Sequence, residues 1–202
     1  MLYAGQSEPL ARTYKLGIWY DTESFADQQF DNSGVSLANP VSNGMPLGHH
    51  GNYGIYAVAD QLVWVDPHET DRTINLFARV MGAPQADRNL VTFSMNAGLT
   101  FHEPFLHRDD DTFGIGMGFA KVSGSAAALD KATAFFTDSY VPTRGSETYV
   151  ELTYQYQLAP WCQLQPDIQY VFTPGGGVAD PNAPTQRVGN ELVLGLRTNI
   201  LF

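Results

Sequence analysis

The sequence predicts an all-β protein, an antiparallel transmembrane β-barrel, on the strength of three observations. The final thirteen residues, 190–202, alternate in polarity, and a period of two places alternate side chains on opposite faces of a strand. Seven further segments repeat this alternation over roughly 10 to 13 residues each, the length that a tilted strand needs to cross a membrane. No apolar run approaches the ~20 residues of a membrane helix.

Each strand is predicted from its own apolar positions. The predicted strands are 12–23, 52–65, 72–81, 89–101, 111–120, 147–158, 161–173 and 190–202. Segment 52–65 is apolar on both faces, so its facing stays unassigned. In the other strands one face carries, in chain order, Tyr14, Leu16, Ile18 and Tyr20; Ile74, Leu76, Ala78 and Val80; Val91, Phe93, Met95, Ala97, Leu99 and Phe101; Phe113, Ile115, Met117 and Phe119; Val150, Leu152, Tyr154, Tyr156 and Leu158; Leu164, Pro166, Ile168, Tyr170 and Phe172; and Leu192, Leu194, Leu196, Thr198, Ile200 and Phe202.

The connections between the predicted strands alternate in length. Short ones lie at 66–71, 102–110 and 159–160, whereas long ones run through 24–51, 121–146 and 174–189, with 82–88 as a brief exception on the long side. Short periplasmic turns and long outer loops are typical of outer-membrane barrels. The final aromatic, Phe202, also fits such a barrel, so the predicted location is the bacterial outer membrane, with lipid on the charge-free face.

Composition excludes several other classes of function. A net charge of -10 without any basic run argues against nucleic-acid binding. Cys162 is the only cysteine, so no disulfide framework and no cysteine metal site is predicted. The glycines at 114, 116 and 118 lie inside a strand and do not form a phosphate-binding turn. No catalytic motif is visible, and we expect neither enzyme activity nor a cofactor.

Two short polar segments receive structural interpretations. The segment 107–111 contains His107, Arg108 and three aspartates, but it lacks the ligand spacing of a calcium loop, and a solvated periplasmic turn is favoured. His49 and His50 lie in a Gly- and Pro-rich loop without a third ligand nearby, so metal binding is disfavoured.

The N-terminus carries neither a basic segment nor an apolar segment of a secretory signal. An outer-membrane protein needs such a signal for export. Residues 1–11 are therefore expected to be a connector from a missing N-terminal part, and residues 12–202 are expected to form the C-terminal half of a barrel.

The face opposite the apolar one supplies the candidate functional residues. Its charges either satisfy one another as an ion-pair lattice or help to sort solutes at a constriction. A sugar needs mixed hydrogen-bond donors and acceptors beside an aromatic surface. The candidates for contact with solute in the lumen are Trp19, Phe77, Arg79, Glu151, Gln163, Gln165, Asp167, Gln169 and Arg197.

Several blocks of the sequence resemble the carbohydrate-selective porin (OprB) family, in the family's order. They are 54–61 (GIYAVADQ), 76–79 (LFAR) with 87–89 (DRN), 108–114 (RDDDTFG), 151–155 (ELTYQ) with 159–161 (APW), 165–170 (QPDIQY) with 174–176 (PGG), and 195–198 (GLRT). The resemblance implies a 16-stranded barrel that passes glucose and other small neutral sugars by passive diffusion. Only eight strands of that barrel are present here. We also expect the barrel-assembly machinery to bind the C-terminal strand ending at Phe202.

Alternative interpretations remain open at this point. The alternation also fits a soluble β-sandwich that binds carbohydrate. Within the membrane class, the chain is a non-functional truncated porin, one half of a split porin, a closed eight-stranded barrel, or an outer-membrane protein without transport. Closure as an eight-stranded pore ranks lowest, because Gly, Gln and Asn fill a small barrel poorly.

Overall fold

The computed structural model describes residues 11–69, 71–105 and 108–201. The predicted connector up to residue 10, His107 and Phe202 lie outside these residues. The elements, in chain order, are β1 (Arg12–Asp31), β2 (Pro46–Val65), β3 (Thr73–Gly82), β4 (Val91–His102), β5 (Thr112–Val122), α1 (Gly124–Thr137), β6 (Ser146–Ala159), β7 (Cys162–Phe172), α2 (Pro174–Gly177), β8 (Ala179–Asp180), β9 (Ala183–Arg187) and β10 (Glu191–Ile200).

Eight long strands form one sheet in the order β1-β2-β3-β4-β5-β6-β7-β10. Every neighbouring pair is antiparallel, and β1 and β10 are the two edges of the sheet. This confirms an all-β, antiparallel fold, and each of the eight predicted strands matches one long strand. Neighbouring strands of this sheet follow one another in the chain, except that the short strands β8 and β9 lie between β7 and β10. Such up-and-down connectivity is the strand arrangement of transmembrane barrels.

The register assigns the facing of β2, which the sequence left open. Val58 lies opposite Lys15 of β1 and Arg79 of β3, and directly opposed residues share a face. The even-numbered residues from Asn52 to Asp60 therefore face the same side as the charged residues of the other strands. We call this side the inward face and the other the outward face.

The outward face is apolar and largely uncovered by protein. Ile18 is 81% exposed and Leu194 is 70% exposed, although both belong to regular strands. The hydrophobic residues buried within the described part of the chain are Ala83, Ala126 and Cys162. A sheet with an apolar face and so small a protein core needs another apolar medium against that face.

The β-sandwich alternative is wrong. A sandwich packs two sheets face to face over a shared apolar core. Among residues 11–69, 71–105 and 108–201, the only other sheet is the β8–β9 hairpin, whose strands have two and five residues. Such a hairpin is far too small to cover strands of ten to twenty residues.

Within the same described ranges, no helix has both the length and the apolar character needed to span a membrane.

The connection predicted at 24–51 is reduced to residues 32–45 in the structure. Both flanking strands are 20 residues long, since β1 extends to Asp31 and β2 begins at Pro46. The pairing shifts between Asp21 and Ser24, which bends the ladder before it continues to Asp31. At the tip, the buried Asp31 carboxylate accepts hydrogen bonds from the Ser33 and Val35 amides and from the Ser42 hydroxyl, at 2.9, 2.9 and 2.7 Å. These bonds organise the loop that joins the two strands.

The connection 121–146 contains a helix that the sequence analysis did not predict. The buried Ser123 caps α1 by accepting a hydrogen bond from the Ala126 amide at 3.1 Å. Arg144 then holds the helix from the following loop. Its guanidinium donates to both carboxylate oxygens of Asp130, with a shortest distance of 2.8 Å, and to the Ala126 carbonyl at 3.3 Å.

The turn before β5 is the predicted solvated segment only in part, since Asp109 and Asp110 are exposed but Asp111 is buried. Asp111 is 1% exposed and accepts two hydrogen bonds from Arg108, at 2.7 and 2.8 Å. Tyr154 and the Gln157 amide of β6 also donate to this carboxylate. Burial on its own raises the pKa of Asp111, but these hydrogen bonds outweigh it and hold the pKa below its ordinary value. The turn is thus locked onto the neighbouring strand.

Candidate functional site

The inward face gathers all nine of the candidate residues. The register opposes Trp19 to Gly54, Phe77 to Gly98, Glu151 to Gln169 and Arg197 to Gln165. Side chains two residues apart on one strand share a face, so Arg79, Gln163 and Asp167 join them. The chain therefore places these side chains along one continuous wall that spans the sheet from β1 to β10. Contact of any one of them with solute stays a prediction.

Aromatic side chains on this wall rest on glycines of neighbouring strands. A Cβ at Gly54 would lie 2.6 Å from Trp19 Cε2, and one at Gly98 would lie 2.7 Å from Phe77 Cζ. Tyr56 and Tyr149 similarly occupy the space of a side chain at Gly17 and Gly118. The glycines thus let the rings lie close against the backbone. In β5 this contact accounts for Gly118, which lies under the Tyr149 ring.

A shallow hollow of about 100 Å³ lies on the inward face around the middle of β4, β5 and β6. Phe77 borders it on the β3 side and Tyr149 on the β6 side, with Gly114 and Gly116 between them. The polar side chains around it are those of Asn96, Thr100, Glu151 and Thr153.

Hydrogen bonds fix several of these polar groups. Asn96 Nδ2 donates to Tyr149 Oη at 2.8 Å, which ties β4 to β6 across β5. Gln169 Nε2 donates to Glu151 Oε2 at 3.1 Å. One carboxylate oxygen of Glu151 is therefore held by a neutral amide, and the carboxylate lies beside the hollow.

A ladder of amides continues from this hollow toward β10. Gln165 Nε2 donates to Thr153 Oγ1 at 3.0 Å, and Gln163 Nε2 donates to Gln157 Oε1 at 2.7 Å. Each of these amides also has a carbonyl oxygen that can accept a hydrogen bond. The wall between β6 and β10 thus presents donors and acceptors together.

Of the two roles considered for the inward charges, the ion-pair lattice is not formed among the described residues. In the described parts of the chain, no ion pair joins any two of Arg79, Glu151, Asp167 and Arg197. Arg79 instead lies over the Phe77 ring, with its Cζ 5.8 Å from the ring centroid. Asp167 occupies the space beside Gly195. The four charges are distributed along the wall and separated by neutral residues.

A second polar cluster lies at the rim where β1 and β2 extend beyond the rest of the sheet. His49 Nε2 is 2.7 Å from Asp27 Oδ2, and His49 Nδ1 is 3.7 Å from Asp87 Oδ2. Arg88 pairs with Asp87 at 2.9 Å and donates to the Gly51 carbonyl at 2.6 Å. The Arg88 hydrogen bond, outweighing burial, lowers the pKa of Asp87.

This rim cluster joins the β1–β2 extension to the turn between β3 and β4. Within the described ranges, no group of three or more His, Cys, Asp or Glu side chains is arranged to hold a metal ion. His49 is therefore a link between strands in this structure, with a carboxylate beside each ring nitrogen.

Five residues that shape the wall are not among the nine predicted candidates, namely Tyr56, Asn96, Thr100, Tyr149 and Thr153. The period-two pattern puts four of them on the face opposite the apolar one, and it leaves the facing of Tyr56 unassigned. The glycines of β4 and β5 are a usable sequence signal for such residues. The space left by a missing side chain can be filled by an aromatic residue directly opposite on the neighbouring strand. Reading that signal requires the register, which period-two patterns do not give.

Three comparisons with known proteins agree with this geometry. The family model described as "Carbohydrate-selective porin, OprB family" matches residues 2–202. Porin B of Pseudomonas aeruginosa is 26% identical over 211 residues, covering 97% of this chain and 42% of that protein. A solved structure titled "High pH structure of Pseudomonas putida OprB" superposes with a TM-score of 0.81 at 24% identity, covering 95% of this chain and 44% of that one.

The structural likeness agrees with the eight-stranded antiparallel sheet, and the family match extends over nearly all of the sequence. The chain spans less than half the length of either relative. On these grounds the chain belongs to the OprB family of carbohydrate-selective porins.

Proposed function

We propose that this chain forms one side of an outer-membrane pore through which small neutral sugars such as glucose diffuse passively. One observation carries the proposal: a single sheet bears an uncovered apolar face and, behind it, a wall of aromatic rings, amides and separated charges. A pore wall in a membrane needs both faces at once, with lipid outside and an aqueous path inside. The family match supports sugar as the solute.

The two edges of the sheet bear on how the pore closes. Unpaired backbone groups in β1 and β10 are not tolerated inside hydrocarbon, so both edges need partner strands. We propose that residues 12–202 supply the C-terminal eight strands of a sixteen-stranded barrel. Coverage of 42% and 44% of the two relatives supports this division. Closure of these eight strands on themselves would leave an interior wide enough only for side chains or one small ligand.

The wall can conduct a sugar without any chemical step. A sugar ring presents hydroxyl groups at its edge and C–H groups on its faces. The hydroxyls can exchange hydrogen bonds with water for bonds to Gln163, Gln165 and Gln169, and the C–H faces can pass over Trp19 or Phe77. Such contacts are individually weak, and conduction requires that each be released readily. This role involves neither turnover nor a cofactor.

The orientation in the membrane follows from the connections. The turns after β2, β4 and β6 are short and lie at one rim, whereas the β1–β2 extension, α1 and the β8–β9 hairpin lie at the other. We propose that the short turns face the periplasm. The outward face then contacts lipid, and the C-terminal strand that contains β10 is the proposed contact with the barrel-assembly machinery.

Liposome swelling tests the proposal. The chain is refolded into liposomes alone, and also together with the part of Porin B outside the matched residues. We expect glucose to enter faster than gluconate, a charged solute of similar size, in at least one preparation. Equal entry of the two solutes contradicts sugar selectivity. Absence of entry in both preparations favours the alternative of a truncated porin without transport.

A further inference from the structure

We propose that the hollow between Phe77 and Tyr149 is a subsite for one sugar ring, and that Glu151 makes it prefer amino sugars over neutral sugars and exclude sugar acids. This inference rests on the proposed function, because it assumes that the inward face lines a path for solutes. It goes further in assigning a site and a charge preference.

The shape of the hollow depends on residues that lack side chains. Gly114 and Gly116 leave the backbone of β5 bare between two rings, and Gly98 of β4 gives the Phe77 ring room to lie against the sheet. A Cβ at Gly98 would lie 2.7 Å from Phe77 Cζ, and one at Gly114 would lie 2.8 Å from Thr153 Cγ2. Any larger residue would fill the floor of the hollow or displace its border. The structure thus keeps open a recess on a wall that is otherwise covered by side chains.

The borders of the recess are held in place. Tyr149 is fixed by the 2.8 Å hydrogen bond from Asn96, and Phe77 is packed on Gly98 with Arg79 over its ring. Fixed aromatic surfaces lose little conformational entropy when a ligand contacts them. They suit the C–H face of a pyranose ring, which is flat and apolar.

The carboxylate of Glu151 decides which sugars the recess favours. Its cross-strand neighbours are Gly116 and Gln169, both neutral. In the residues that the structure describes, no cationic side chain lies within 4 Å of this carboxylate. The carboxylate can accept hydrogen bonds from sugar hydroxyls and attract an ammonium group, whereas it repels a second carboxylate.

The wall around the hollow carries a net negative charge, the same sign as the charge of Glu151. On the inward face of the described strands, carboxylates outnumber the lysine and arginine side chains. The carboxylates are Asp21, Asp60, Glu147, Glu151, Asp167 and Glu191, and the cations are Lys15, Arg79 and Arg197. The negative field of the wall therefore adds to the preference set locally by Glu151.

Binding to the refolded 202-residue chain tests this inference without requiring a pore. Saturation-transfer NMR is measured in a detergent without a sugar head group, with glucosamine, glucose and glucuronate as probes. The pH is mildly acidic so that the glucosamine amine is protonated. We expect glucosamine to bind most tightly and glucuronate most weakly. Glu151→Gln should reduce the advantage of glucosamine over glucose by about twofold to fivefold, the range for a partly exposed ion pair.

Two further variants separate the roles of charge and shape. Asp110→Asn removes the same charge from an exposed position in the turn before β5, and it should leave the order and strength of binding unchanged. Phe77→Leu should weaken all three solutes without changing their order. Far-UV circular dichroism of each variant checks that the sheet is intact, and solute discrimination is compared only among folded variants.

The outcomes are distinct from those of the swelling experiment. Equal binding of the three solutes, or an unchanged glucosamine advantage in folded Glu151→Gln, overturns the subsite and leaves the pore proposal standing. A purely structural role for Glu151 would lower stability without altering solute order, and it would overturn the inference in the same way. Absence of permeation in liposomes overturns the proposed function instead.

Discussion

The indole of Trp19 occupies the space that a side chain at Gly54 would need, with Trp19 Cε2 2.6 Å from the position of a Cβ on that glycine. The two residues are directly opposed on β1 and β2. The edge strand is thus bound to its neighbour by an aromatic–glycine contact in addition to the backbone ladder. Such contacts recur along the inward face.

Gly54→Ala should therefore displace the indole. The added methyl group has no room, so either the ring or the backbone must shift, at a cost of about 1–3 kcal/mol in unfolding free energy. Urea unfolding in detergent micelles and tryptophan emission provide the measurement. Gly48→Ala is the control, because nothing lies within 4 Å of a Cβ there and the backbone is unstrained. Equal stability of the two variants would show that the contact contributes nothing.

Asp111→Asn should destabilise the turn before β5. The change removes a charge that receives hydrogen bonds from Arg108, Tyr154 and the Gln157 amide. We expect the free energy of unfolding to fall by about 1–3 kcal/mol. The partly exposed Arg108 can turn to water once the charge is removed, which limits the effect. Asp110→Asn, in the same turn, should be nearly neutral, and thermal unfolding compares the two variants.

The Asp111 carboxylate should make the stability of the protein depend on pH in the acidic range. The folded pKa of Asp111 lies below its ordinary value of 3.8, so its contribution is complete above that value. The contribution is lost as the pH falls through the folded pKa. The stability difference between wild type and Asp111→Asn should therefore be constant near neutral pH and shrink below 3.8. A difference that persists undiminished in strong acid would contradict this assignment.

Leu194 and Val193 test which face meets lipid. Leu194 lies on the outward face and its neighbour Val193 on the inward face of the same strand, at the same depth. Leu194→Arg should lower the free energy of unfolding in lipid by about 2–4 kcal/mol, and it should lower the yield of folded protein in lipid vesicles. Val193→Arg should be tolerated, since its side chain reaches the aqueous side. Equal effects of the two substitutions would contradict the proposed facing.

Arg144→Lys should loosen α1 although it retains the positive charge. A lysine cannot reproduce the forked hydrogen bonds from Arg144 to both oxygens of Asp130. We expect faster limited proteolysis between residues 138 and 145 and unchanged circular dichroism of the sheet. Lys131→Arg, on the same helix, is the matched control, and it should not change the rate of cleavage.

The period-two pattern was sufficient to predict the eight long strands and the side of most residues. Polarity alone decides which face of a strand such as β10 is apolar, because that property is local. The pattern failed for β2, whose two faces are similarly apolar, and only pairing of Val58 with Lys15 and Arg79 resolved it. Facing can thus be read from sequence wherever one side of a strand is clearly more polar.

The wall itself could not be predicted to the same degree. The register depends on shifts such as those between Asp21 and Ser24 or between Leu62 and Trp64, which have no reliable sequence signal. The contacts of Trp19 with Gly54 and of Phe77 with Gly98 therefore came only from the structure. Helix α1 could be predicted from the sequence more readily, since Ser123 precedes an alanine-rich segment with high helix propensity.

The even number of long strands has a geometric consequence. When a sheet has an even number of antiparallel strands, its first strand begins and its last strand ends at the same rim. The two edge strands therefore run in opposite directions. Two sheets of this kind can be joined at both edges with every new pair antiparallel, and the chain between them needs no extra crossing. An even number of strands is thus the condition under which two such sheets close into one wall without a parallel pair.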